Sequence, residues 1–192
     1  MEACTNYYNK LDVNQIFNHL LLEIGVWIDG KIYWLQNKQK NLTAQNKIHL
    51  SIEQDIQEHA LITHLQLKNL TAYPHELKLI CQYKDIPSYQ HSSFVIPNMN
   101  IIVKNINEHL YLINGKFEST SPFCTVLPDQ ASICEKTGRI SYCPTSMSES
   151  NGIVVFNMFL KPNEKTSGKT WVVSGQNDKN LLYLNQSLSK TD

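Results

Sequence analysis

Over residues 61–84 the apolar positions recur at every second residue. Leu61, Thr63, Leu65 and Leu67 alternate with Ile62, His64, Gln66 and Lys68; after a break, Leu77, Leu79, Cys81 and Tyr83 alternate with Glu76, Lys78, Ile80 and Gln82. A period of two is that of half-buried strands, because successive side chains leave a strand on opposite faces. Asn69, Thr71 and Pro74 stand between the two runs. Asn can bond its own backbone and Pro removes a ladder donor, so the break is a turn, and the pair is either a hairpin or a crossing between sheets.

The same test predicts the remaining elements. In residues 11–25, Val13, Ile16, Phe17, Leu20, Leu21 and Ile24 recur at three- and four-residue spacing behind Asp12, the pattern of a capped amphipathic helix ending at Gly25. Asp29-Gly30 separates two aromatic-rich runs and predicts a two-residue hairpin turn. Residues 36–46 are rich in Gln, Asn and Lys and read as a solvated loop, and Ile48, Leu50 and Ile52 then mark a strand. Further strands are expected over 93–96, closed by Pro97, over 100–104, and over 108–113, where Asn114-Gly115 signals a hairpin and Phe117 a return strand. Thr137-Gly138 joins 131–135 to a strand over 139–143, and 144–152 is a small-residue loop. The run GIVVFNMFL is apolar on both faces, as a central strand is, and 170–174 is one more strand. Residues 178–190 close the chain as a second helix, capped by Asn177 or Asp178, with Leu181, Leu184 and Leu188 along one side. Helix, about ten short strands and helix predict a mostly β fold: one antiparallel, immunoglobulin-like β-sandwich domain over residues 1–192, flanked by amphipathic helices at 11–25 and 178–190.

Composition narrows the possible functions. Lys plus Arg and Asp plus Glu are 17 each, and Arg139 is the only arginine, so nothing favours nucleic acid or an anionic membrane. No run approaches the eighteen apolar residues of a membrane-spanning helix, and the polar N-terminus lacks the order of a secretory signal, which predicts a cytoplasmic protein. Five irregularly spaced cysteines fit reduced thiols better than a disulfide framework.

Each chemical motif has a plainer reading beside it. SGKT at 167–170 lacks the leading glycine of a phosphate loop and runs into a strand-like segment, so it reads as a turn. Cys124, Cys134 and Cys143 could hold zinc with His91 or His109, but their spacing is not that of metal ligands, and neither metal nor cofactor is expected. His49 and His64 would meet across a ladder only in one strand register, and GxSxG is absent. The aromatics Trp27, Tyr33, Trp34 and Trp171 are the candidate partner-binding residues, since Trp and Tyr dominate binding hot spots and sugar-stacking platforms. Tyr33 and Trp34 adjoin and must face opposite ways if they lie on one strand.

The run LQLKNLTAYPHELKLICQY resembles the strand-Asn-turn-strand opening of small bacterial immunoglobulin-like sandwiches, a group that includes intracellular proteinase inhibitors. Separately, HLLLEIGVWIDGKIYW, HLYLINGKF, TWVVSG and LYLNQSL resemble pieces of a family of small soluble proteins from low-GC Gram-positive bacteria, a likeness that implies a single domain and no activity. The reading that follows is a non-enzymatic cytosolic binding or structural protein of a Gram-positive bacterium, with a protein partner or self-association. The alternatives are a hydrolase or transferase using a Cys-His pair, and a carbohydrate-binding module.

Overall fold

The computed structural model describes residues 19–36, 39–57, 59–86, 91–118, 120–128, 133–175 and 177–190. In chain order the strands are β1 (Leu20–Ile28), β2 (Lys31–Trp34), β3 (Asn41–Ala44), β4 (Ile48–Gln57), β5 (Ala60–Asn69), β6 (His75–Asp85), β7 (His91–Ile96), β8 (Ile101–Ile106), β9 (His109–Phe117), β10 (Phe123–Pro128), β11 (Thr145–Ser146), β12 (Ser150–Leu160) and β13 (Lys165–Gly175), followed by helix α1 (Asp178–Lys190). The strands form a five-stranded sheet in the order β10-β12-β6-β1-β2 and an eight-stranded sheet in the order β11-β7-β8-β9-β13-β5-β4-β3. The recorded strand pairs are antiparallel.

The two alternating runs at 61–84 are β5 and β6, and they fall in different sheets. The turn between them therefore crosses the core instead of closing a hairpin. One apolar cluster joins Ile24, Leu79, Val154 and Phe156 of the smaller sheet to Leu65, Ile102, Ile113 and Val172 of the larger, so the sheets share a core. Phe117 and Phe156 meet across it, ring centres 4.8 Å apart. Tyr83 also spans it, with its phenol 2.7 Å from the Thr170 hydroxyl. Thr170 donates its own proton to the Asn114 carbonyl, which makes Tyr83 the donor in the inter-sheet bond. Burial without a counter-charge pushes the Tyr83 phenol well above its ordinary pKa.

Each sheet's outer face is covered differently. Helix α1 lies on the eight-stranded sheet, packing Leu181, Leu184 and Leu188 over Leu112, Trp171 and Val173, the side expected from the leucine spacing. Asn177 is the cap, its side-chain oxygen accepting from the Lys179 N–H at 2.9 Å. On the five-stranded sheet, Ile80, Ile153, Val155 and Leu127 pack with Ile133 and Ile140 from the irregular segment after β10.

Several expectations are corrected. The helix over 11–25 is not formed where the structure describes it: Leu20–Ile28 is β1, and Gly25 is paired with both Ile80 and Trp34. Residues 11–18 lie outside the described residues. The loop at 36–46 contains the edge strand β3, whose Ala44 is fully buried. Asn114-Gly115 is not a turn, because β9 passes straight through it to Phe117. Glycine is required there by a close approach, since a Cβ would lie 2.6 Å from the Phe156 ring. The β8–β9 turn falls instead at Asn107 and Glu108, both with positive φ. The expected strand at 139–143 reduces to a Cys134–Arg139 bridge, because the Thr125 hydroxyl bonds Ser141 and Cys143 in place of a ladder. By contrast Asp29-Gly30 turns as expected, with φ of 50° and 78°, and places Ile28 opposite Lys31.

Candidate functional site

At one end of the sheets histidines from three separate parts of the chain come together. His19 precedes β1, His59 stands between β4 and β5, and His109 opens β9 after the Asn107-Glu108 turn. The His19 and His109 rings are nearly parallel, 6.0 Å apart, and His19 meets Tyr111 edge-on at 6.4 Å. They border a cleft of about 450 Å3 lined by His19, His59, His109, Tyr111, Ser174, Gly175, Asn177, Asn180, Leu181 and Leu184. Strand pairing builds the floor: Tyr111 lies opposite Ser174, both are buried, and the Ser174 side chain hydrogen-bonds the phenol. Burial raises the Tyr111 pKa to about 12, so the phenol stays protonated at neutral pH. His19 is shifted the other way: burial first, then His109 and His91, hold its pKa below the ordinary imidazole value.

The same end contains a buried ionic cluster between the sheets. Lys104 is fully buried, and its ammonium lies 2.5 Å from Asp85 Oδ1. It also donates to the Ser150 carbonyl at 2.8 Å and to Ser93 Oγ at 3.2 Å. The other carboxylate oxygen of Asp85 accepts from the Ser150 N–H at 3.1 Å and lies 3.2 Å from His91 Nδ1. On its far side, His91 Nε2 is 3.9 Å from the Glu149 carboxylate. Two charges are tolerable here only because each is paired and further hydrogen-bonded.

The four aromatics form no common surface. Tyr33 packs on the inter-sheet core, whereas Trp27 and Trp34 join the cluster on the outer face of the five-stranded sheet. Tyr33 and Trp34 do face opposite ways. Segment 133–140 closes over Trp27, whose indole donates to the Glu135 carbonyl at 2.6 Å, while Lys78 lies 5.5 Å over its ring. Trp171 belongs to the other sheet, is fully buried under α1, and donates to Asn185 Oδ1 at 3.0 Å.

The other motifs resolve into structure. SGKT is not a turn: it lies within β13, where Gly168 pairs with Leu65 and Phe117. His64 faces Glu53 and His49 faces Lys68, so the two histidines do not meet across the ladder. Cys124 is buried, donates to the Asn100 carbonyl and has its pKa pushed up to about 12, which leaves it a thiol. Cys143 donates to Thr145. Exposed Cys134 is lowered, chiefly by a hydrogen bond from the Thr137 side chain. Among the described residues no group of three His, Cys, Asp or Glu is placed to hold a metal ion, and no helix is long and apolar enough to cross a membrane.

The sequence reading put His19 inside a helix, took Asp85 for a turn or strand-edge carboxylate, passed over His59 and Lys104, and considered His91 and His109 only as zinc partners. A signal for part of the site was available. Lys104 shares the inward phase of Ile102 and Ile106, and Asp85 that of Leu79, Cys81 and Tyr83, so two charges of opposite sign occupy core positions on different strands.

No protein-family model matches the chain, and no curated protein matches it. Solved structures do share its fold. A bacterial glucoamylase complexed with acarbose is 12% identical at a TM-score of 0.56, covering 88% of this chain and 29% of its own. A protein from the human microbiome described as a kojibiose phosphorylase is 10% identical at a TM-score of 0.54, covering 88% of this chain and 25% of its own. The chain therefore spans less than a third of either neighbour, and what it is similar to is the fold of one part of each.

Proposed function

We propose that the two sheets form an antiparallel sandwich module of a carbohydrate-acting protein, and that the module serves by binding rather than by catalysis. The supporting observation is the fold likeness itself: it takes in 88% of this chain and only a part of each of two proteins whose names refer to sugars. The state of the polar groups is in keeping with a binding role. Cys124 is held as a thiol, and the Lys104–Asp85 pair is closed into the core. A cytosolic setting, expected from composition, is part of the same proposal.

Calorimetry with kojibiose and with acarbose tests the reading, alongside an assay for monosaccharide released from kojibiose. Saturable binding of at least one sugar without release is the expected result. Release above a protein-free control would make the chain an enzyme, and no binding of either sugar would remove the carbohydrate reading.

A second reading, docking of a protein partner or a second copy, is favoured by half-buried Trp34 on β2, the edge strand of the five-stranded sheet. Trp34→Ala should then weaken capture of the partner, or dimerisation in sedimentation, while the fold is retained. Unchanged association would end this reading.

A further inference from the structure

We infer that the histidine-rimmed cleft is a binding site for a neutral sugar of one or two rings. This rests on the carbohydrate reading above and deepens it by naming the site and its ligand class.

Among the described residues no lining group is a carboxylate, a lysine or an arginine, so a cation would enter without a counter-charge, and an anion would meet a full positive charge only where an imidazole is protonated. The cleft's polar groups are imidazoles, amides and hydroxyls, which as sets both donate and accept hydrogen bonds. Sugar hydroxyls need this dual capacity, since each is one donor and an acceptor with two lone pairs. Apolar surface is present as well: Leu181 and Leu184 supply one wall, against which the C–H face of a pyranose can lie. A cleft of about 450 Å3 falls within the roughly 300–1,000 Å3 of small-molecule sites.

Rigidity is the second consideration. The floor is Tyr111 and Ser174 on paired strands of the eight-stranded sheet, and one wall is the capped first half of α1, which Leu181 and Asn185 anchor to that sheet. A ligand held by pre-positioned groups loses less affinity to the ordering of side chains. Metal binding is the competing use of clustered histidines, and no three potential ligands converge here among the described residues.

Calorimetry on the full chain decides the matter, with kojibiose and acarbose titrated into wild type, His109→Ala, Asn180→Ala and His49→Ala, each checked for folding by circular dichroism. His109 and Asn180 are exposed at the rim, and His49 lies on β4 near the opposite end. Losing one hydrogen bond worth about 1 kcal/mol weakens binding by roughly fivefold to tenfold. We expect that loss in His109→Ala and Asn180→Ala, and unchanged affinity in His49→Ala. Sugar binding unaltered by both rim substitutions would overturn the site while sparing the module reading. Failure of wild type to bind either sugar would overturn both.

Discussion

At one end of the sheet stack Asn69 is fully buried, and its amide is spent on backbone; at the other end Lys104 is equally buried and faces a carboxylate. The Asn69 Nδ2 donates to Tyr73, Leu160 and Lys161 carbonyls at 2.7, 3.3 and 2.8 Å, and its Oδ1 accepts from Thr71 N at 2.9 Å. It thereby ties the β5–β6 crossing to the turn between β12 and β13. This clamp is neutral and its partners are main chain apart from the Thr71 hydroxyl, which donates to Oδ1 at 3.0 Å, so its contribution is that of ordinary hydrogen bonding. The Lys104 cluster instead ends in His91 beside the histidine cleft. Two equally buried polar groups thus serve different purposes: one fixes topology, the other supports an end of the molecule whose charge state changes with pH.

The largest effect should come from Lys104→Met, which strands the Asp85 carboxylate in the core. A loss of about 3–5 kcal/mol is expected in urea denaturation. Pairing it with Asp85→Asn should restore part of that loss, since the uncompensated charge is then gone; equal losses in the single and double variants would break the ion-pair account. Asn69→Ala comes next, at about 2 kcal/mol, from carbonyls left without a donor in two turns. A loss below about 0.5 kcal/mol would remove Asn69 as the tie between the turns.

These two charged residues also mark what the sequence disclosed and what it withheld. The alternation at 61–84, the Asp29-Gly30 turn, the central strand and the closing helix were legible, because each element's residues carry its period or cap. Residues 20–25 were not, since LLLEIG carries apolar residues whose spacing fits a helix as readily as an interior strand. Nor was the β8–β9 turn, because Glu108 is a poor advertisement for positive φ while Asn114-Gly115 advertises a turn that packing against Phe156 overrules. Of the site, the inward phase of Lys104 and Asp85 could be read. The cleft could not, for His19, His59 and His109 lie far apart in the chain and meet only once the sheets have formed.

A smaller effect should separate the two ends by pH. His19 has a folded pKa below its unfolded value, so its contribution is fully present above the ordinary value of about 6.5 and is lost as pH falls through the folded pKa. Stability measured downward from neutral pH should therefore decline, and His19→Gln should flatten that decline while Asn69→Ala leaves its slope unchanged. An identical slope in His19→Gln would exclude His19 as the source. The smallest expected change is at the surface: Lys47→Ala removes the 2.6 Å contact to exposed Asp29 and should cost no more than about 1 kcal/mol in the same denaturation assay.

The placement of Trp171 under α1 gives the molecule an optical property. Its indole is shielded from water by a single C-terminal helix, whereas Trp27 and Trp34 remain partly solvated on the opposite sheet. Undocking of α1 would uncover that indole and shift its emission to the red before the sheets come apart. Fluorescence from a Trp27→Phe, Trp34→Phe protein would then time the release of one helix, separately from the collapse of the sheets beneath it.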